Sequence, residues 1–332
     1  FTLGAALAIK ARVLLYAASP LHNPDNDVEK WKKAAAAAYD IISNPDLNYS
    51  LDSDYGAYFQ GNRSLSSPET IYVVRREQSN AMESNNYPIA TPGGASGVTP
   101  TQNLVEAYEW VGDPVAGDPY ANRDPRLAAS VVTNGSTWNG HVIDQSPGGR
   151  HDMSAPNASK TGYYLKKFLT DNLDLTQGAK VQHNWVSYRY AEVLLNYAEA
   201  MNEAYGPDQA PGDYALTALD ALQLVRDRAS LQLPIVTAAT RDEFREAVKH
   251  ERRIELAFED HRYWDLLRWK DAMEVLNKPV RGVKVTKTGE GKWSYTQTEV
   301  ATRTFLERNY YMPFTRSEVE NSNHTLEQNP GY

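Results

Sequence analysis

No cysteine occurs among the 332 residues. That absence excludes a disulfide scaffold, a thiol nucleophile and every Cys-ligated metal site, and it leaves the redox compartment open. Positive charge is also scarce: 34 Lys and Arg stand against 42 Asp and Glu, a net charge of −8. A nucleic-acid binder needs concentrated positive charge to displace counterions, and docking on an anionic membrane needs a basic patch. The balance argues against both. Long uncharged apolar runs are missing too. The stretch from Leu3 to Ala18 carries Lys10 and Arg12 in its middle. A membrane span needs about 20 nearly uncharged residues, and a secretory signal carries its positive charges before the apolar run. The stretch reads as a buried helix over 3–18 that begins mid-domain. The chain reads as part of a longer protein whose targeting signal lies outside it.

Catalytic motifs are absent as well. His250-Glu251-Arg252-Arg253-Ile254 opens like a zinc-protease helix, but Ile254 stands where the second His is required. No glycine loop ends in Gly-Lys-Ser/Thr, and no two of the seven His are paired at helix spacing. Asp46, Asn48, Ser50, Asp52 and Asp54 alternate like a calcium loop. The sharp-turn Gly and closing Glu are missing, so a polar turn is the simpler reading. No cofactor is expected.

What is present is a composition of 41% apolar and 23% charged residues, with 21 Tyr and 7 Trp. Such a chain buries a sizeable core as about two domains or one large one. Helices are expected at both ends. Gly4, Ala8 and Ala11 suit close packing of the first. Trp31, Ala34, Ala35, Ala38, Ile41 and Ile42 form one face of a second over 28–43, stopped by Asn44-Pro45. Residues 1–43 thus form one helix pair, with an ending like that of a tetratricopeptide repeat.

Residues 44–184 are rich in Gly, Pro, Asn, Ser and Asp and read as an irregular insert. Short strands are expected at 71–74, 127–133 and 163–168, a loop over 84–100, and a short helix capped by Thr101. Residues 185–332 return to helices. Tyr190, Val193, Leu194, Tyr197 and Met201 make one face, and Asp213 is expected to cap the next helix. Thr240-Arg241-Asp242-Glu243 is a capping box for a helix running to about Phe258, and Thr315-Arg316-Ser317-Glu318 is another. Val283, Val285, Trp293 and Tyr295 have strand character.

Glu251, Glu255, Glu259 and Asp260 raise the question of a glycosidase acid pair. Glu251 shares a helix face with Phe244, Val248, Ile254 and Phe258, so it points into the core. A buried carboxylate needs a charged partner, and Arg226 or Arg228 is the natural one. Arg226, Arg228, Glu251 and Glu255 therefore read as a structural ion-pair network.

Residues 189–200, Arg-Tyr-Ala-Glu-Val-Leu-Leu-Asn-Tyr-Ala-Glu-Ala, resemble a helix of the SusD/RagB family. Leu224-Val225-Arg226-Asp227-Arg228-Ala229 resembles the helix that follows. The run from Glu251 to Trp269 is similar to the family's strongest hallmark. Pro100-Thr101-Gln102, residues 123–127, residues 161–168 and the ending Gln328-Asn329-Pro330-Gly331-Tyr332 match in order. Asp260 replaces the usual Gly, and Asp tolerates a left-handed backbone. Pro313-Phe314-Thr315 replaces the usual Pro-Ile-Pro.

The resemblance implies a mainly α, SusD-like fold: tetratricopeptide-like helix pairs with a long loop-rich insert carrying short β-strands. It implies roughly the C-terminal two-thirds of a cell-surface lipoprotein of the outer membrane in Bacteroidota. The lipid would sit on an N-terminal Cys absent from this chain. The protein would be a non-enzymatic lid on a TonB-dependent, SusC-like transporter and would capture an oligosaccharide or polysaccharide. The alternatives are an oligopeptide-binding lid of the RagB type and, more remotely, an all-helical glycoside hydrolase. The family's ligand contacts come from variable loops, so site residues are inferred from position and chemistry. Asn80, Glu83, Asn85 and Asn86 are expected as hydroxyl partners beside Tyr87 as a stacking face. Trp110, Tyr120 and Trp138 are the further loop-borne aromatics.

Overall fold

The computed structural model describes residues 2–323 and 325–332. The Thr2 hydroxyl accepts from the Ala5 N–H and starts α1 (Leu3–Ala18). Gly4, Ala8, Ala11, Leu15 and Ala18 line its buried face. Asp27 caps α2 (Val28–Ile42), which buries Trp31, Ala34, Ala35, Ala38 and Ile41. The small residues let the two helices pack closely as a pair.

The insert opens with α3 (Tyr55–Tyr58), α4 (Arg63–Ser66) and strand β1 (Thr70–Ser79). It continues through α5 (Ala81–Asn86), α6 (Gln102–Val105) and α7 (Arg126–Ser130). Four two-residue strands follow: β2 (Val131–Val132), β3 (Thr137–Trp138), β4 (His141–Val142) and β5 (Tyr164–Leu165). The longer β6 (Val181–Arg189) runs straight into α8 (Tyr190–Tyr205). Next come α9 (Ala218–Arg226), α10 (Arg241–Glu255), α11 (Arg262–Arg268) and α12 (Ala272–Leu276). A hairpin of β7 (Val280–Gly289) and β8 (Lys292–Ala301) precedes a 3₁₀ turn at Glu307–Tyr310 and α13 (Arg316–Asn321). The strands pair antiparallel in twos: β1 with β6, β2 with β5, β3 with β4, and β7 with β8.

The mainly helical fold expected from the sequence is present, with helix pairs around a loop-rich insert. Every residue of α8 from Ala191 to Glu203 is buried, because α2, α9 and α10 all pack on it. Its polar residues cannot face water, so each must be satisfied inside the core. The insert builds an apolar cluster around Tyr87, Trp138, Ile143 and Tyr164, and a second cluster joins its Tyr108, Leu127 and Tyr163 to Ile254 and Val283 of the C-terminal part. Phe258 packs against both, as it does against a third around Tyr55, Tyr58 and Phe59. It does so from a left-handed backbone with φ +65°, in the turn that ends α10. No helix among the described residues is long and apolar enough to cross a membrane.

Four local expectations are corrected. Residues 127–133 are not one strand: α7 occupies 126–130, and only Val131–Val132 pair. Asp124 accepts from the Arg126 N–H, and Pro125 sits at φ −55°, ψ −23°, so a local helix start overrides β-propensity. The segment from Asn80 to Tyr87 is mostly the helix α5 rather than a loop. Thr217, not Asp213, caps α9, through a capping box with Asp220. Finally, α10 starts at its capping box but stops at Glu255, three residues before Phe258. The turn places Asp260 at φ +63°, the left-handed conformation that an Asp can adopt.

One of the contacts that fix the hairpin to the insert is a close backbone approach. The Val283 N–H donates to the Thr161 carbonyl at 2.9 Å. A Cβ on Gly162 would lie 2.6 Å from the Val283 oxygen, and Gly162 sits at φ +79°. Only glycine allows this approach, which sets the direction of the hairpin.

Candidate functional site

The charged residues of the 251–268 region face one another. The Glu255 carboxylate accepts from Arg126 at 2.9 Å, Arg189 at 2.7 Å and Arg228 at 2.9 Å. Glu251 accepts from Arg226 at 2.9 Å and from Arg126. Glu259 accepts from Arg189 and Lys167, each at 2.7 Å. Glu69 is shared by Arg189 and Arg228. Burial alone would raise the Glu255 carboxyl, but Arg228, Arg189 and Arg126 more than offset it and hold it well below the carboxylate range. Arg252 and Arg268 grip Asp265 in a second network, and Arg268 also reaches Glu199. The carboxylates are occupied by guanidinium and ammonium donors and shielded from solvent.

Arg226 does meet Glu251, whereas Arg228 meets Glu69 and Glu255 instead. Arg126 and Glu69 come from the insert; Arg126 lies 125 residues from Glu251, and Glu69 lies 120 and 159 residues from Arg189 and Arg228. Nothing in their local sequence signals the contact.

The loop-borne candidates scatter. Tyr87 is fully buried; its hydroxyl donates to the Thr170 carbonyl and accepts from the Leu173 N–H. Its ring meets Trp138 edge-on at 5.7 Å, and Trp138 is 3% exposed. Both are core residues of the insert and offer no stacking face. Glu83 is buried and accepts from the Thr170 N–H and from His183. Asn86 is buried too, its amide spent on Met82 and Val98. Asn80 is half-buried and Asn85 exposed. Trp110 is exposed, with the Arg123 guanidinium 3.8 Å above its ring.

Tyr120 alone among them lines a substantial cleft. The cleft has a volume of ≈ 730 Å³ and lies between the 116–121 loop, the 133–136 turn and the tip of the β7–β8 hairpin. Trp293 and Tyr295 project from alternate positions of β8, hence from one face, and both are half-buried. Tyr120 meets Tyr295 edge-on at 5.4 Å. The Trp293 indole N–H donates to Asp144 at 3.1 Å, and the Asn134 amide donates to the Tyr295 hydroxyl at 3.3 Å. These bonds hold both rings in place. Burial would raise the Asp144 carboxyl, yet bonds from Ser146, Trp293 and Lys287 keep it below its usual value, so it stays a charged acceptor. A Cβ on Gly135 would lie 3.3 Å from the Trp293 ring, at φ +84°, so the turn can approach the indole only as glycine.

Around these rings stand Asp118, Ser136 and Lys292 as hydrogen-bonding groups. Rings beside a few polar groups can stack on sugar C–H faces while bonding hydroxyls. Among the described residues, Asp118 is the one carboxylate lining the cleft, which leaves it without the pair that glycoside hydrolysis uses. No cluster of described residues is arranged to hold a metal ion. The sequence reading missed Trp293, Tyr295 and Asn134. The i, i+2 aromatic pair just after a Gly-Glu-Gly turn was the available signal; it was read only as strand character.

The profile described as the SusD family matches residues 58–332. The chain is 25% identical over 313 residues to SusD-like protein P2 of Formosa agariphila, covering 91% of this chain and 56% of that protein. It is 27% identical over 262 residues to SusD-like protein P38 of the same organism, covering 74% and 46%. The chain thus spans about half the length of the curated relatives it matches. It resembles the crystal structure of a SusD-like protein from Bacteroides fragilis with a TM-score of 0.79 and 26% identity, over 100% of this chain and 65% of that one. It resembles a SusD-like carbohydrate binding protein from the same species with a TM-score of 0.77 and 28% identity, over 96% and 63%.

Proposed function

Because the chain belongs to the SusD family, we propose that it is the larger part of a cell-surface glycan-binding protein that works as the lid of a TonB-dependent, SusC-like transporter. The observation that carries the glycan reading is the cleft, where Tyr120, Trp293 and Tyr295 stand beside Asp118, Asn134 and Ser136. The solved relative described as carbohydrate binding supports the same ligand class. The protein captures rather than cleaves. Its hallmark carboxylates are locked in ion pairs, and its cleft lacks an acid pair. An anchor on the outer membrane, through a lipidated Cys beyond this chain, keeps the captured glycan beside the transporter.

The test is a glycan array probed with the protein alongside a library of oligopeptides. Binding is expected to a related set of oligosaccharides, with none of them shortened on incubation. Binding to peptides alone would replace this reading with peptide capture, and released sugar would replace it with hydrolysis.

A further inference from the structure

We infer that the protein carries a second site, a pocket for a carboxylate borne on an apolar body. A cavity of ≈ 430 Å³ lies where α6, the turn after α10, α11, α12 and the open end of the hairpin meet. Arg253, Arg262, Lys278, Arg281 and Arg303 line it, and no carboxylate does. In a chain of net charge −8 this gathers the minority sign at one spot.

Two of the five cations have acidic partners, Glu106 for Arg281 and Glu274 for Lys278. Asp265 takes Arg252 and Arg268, and Asp271 takes Lys249, so neither pairs with Arg253, Arg262 or Arg303. Arg253 donates to the Asn103 carbonyl, a neutral acceptor. Arg262 is half-buried and has no hydrogen-bond or ion-pair partner among the described residues. Burial, with the neighbouring Arg253, lowers its guanidinium to about 10. Asp265, Asp271 and Glu246 act on it only at a distance, so no counter-ion among the described residues touches it, and an incoming anion supplies one.

The rest of the lining narrows the ligand. Leu104, Phe258, Leu266, Val275 and Leu276 give the cavity an apolar wall. Among the described residues, Thr101 and Asn103 are the uncharged polar side chains that line it. A sugar needs acceptors as well as donors, and this pocket is nearly all donors. Inorganic anions would leave the apolar wall unused. A carboxylate on an apolar stem uses both: the guanidinium forks grip the head and the wall covers the stem. Arg281 and Thr288 mark the two ends of β7, roughly 23 Å apart for seven extended residues. The pocket is therefore separate from the glycan cleft.

The experiment is calorimetric titration with hexanoate, hexan-1-ol and acetate. Saturable binding of hexanoate is expected, with the alcohol and acetate at least about tenfold weaker. Arg262→Gln should weaken hexanoate at least about tenfold, and Arg303→Gln, at an exposed rim position, should weaken it by a smaller factor. Neither variant should change glycan-array binding. Absence of saturable hexanoate binding overturns the proposal, as does equal binding of hexan-1-ol. So does wild-type hexanoate affinity in both variants.

Discussion

Glu255→Ala should melt roughly 4–7 °C below the wild type. Glu255 is buried and binds three arginines, Arg126, Arg189 and Arg228. Removing it leaves buried positive charge without compensation, and breaking such a pair costs about 3–5 kcal/mol. Unfolding entropy of about 2.1 cal/mol/K per residue gives about 0.7 kcal/mol/K for a chain of this length. The ratio is the expected shift. Glu255→Gln keeps the shape and some of the hydrogen bonds, so it should fall between. Glu327→Ala, at an exposed position, should melt like the wild type. Calorimetry or the far-UV circular dichroism signal reads all three. An unchanged melting temperature in Glu255→Ala would mean that the network does not tie the insert to the helices.

Acid should unfold the protein cooperatively as the pH falls from about 4.5 towards 2. Burial raises the carboxyls of Glu192, Glu199, Glu251, Glu255, Glu259 and Asp265, but their arginine and lysine partners outweigh it, and all six are lowered. Glu192, held chiefly by Arg12, falls to about 2. Unfolded carboxyls titrate near 3.9–4.3. Between these limits the unfolded chain binds more protons, so stability rises with pH across the window. The contribution is complete above about pH 4.5 and is lost as the pH falls through the folded values. Urea midpoints measured from pH 6 to pH 2.5 should stay level to about 4.5 and then drop steeply. A flat profile down to pH 2.5 would contradict the ion-pair assignment.

The starts of α10 and α13 were legible because their signals are local, whereas the equally local Thr217–Asp220 box of α9 was passed over for Asp213. Thr240 with Glu243 and Thr315 with Glu318 each form a capping box within four residues. The stripe of Gly4, Ala8 and Ala11 likewise announced a buried face. The hallmark resemblance was carried by charged residues, and the structure supplies the physical reason. Glu251, Arg252, Glu255, Asp265 and Arg268 are buried at spacings that send them into paired networks. The insert was harder to read because its order comes from distant contacts. Tyr87 and Trp138 look like loop aromatics in sequence, yet they cover each other across 51 residues, and Thr170, 83 residues from Tyr87, takes its hydroxyl. The cleft joins Tyr120 to Trp293 and Tyr295, across about 170 residues. No periodicity reports such a juxtaposition.

The central claim is that this cleft holds the glycan. Isothermal titration of the array-selected oligosaccharide into wild type and Trp293→Ala tests it most directly, with circular dichroism to verify the fold. A stacking ring at a binding hot spot contributes about 1–3 kcal/mol. The account therefore predicts roughly ten- to a hundredfold weaker binding for Trp293→Ala, and wild-type affinity for Trp110→Ala. Wild-type affinity in a folded Trp293→Ala protein would contradict it.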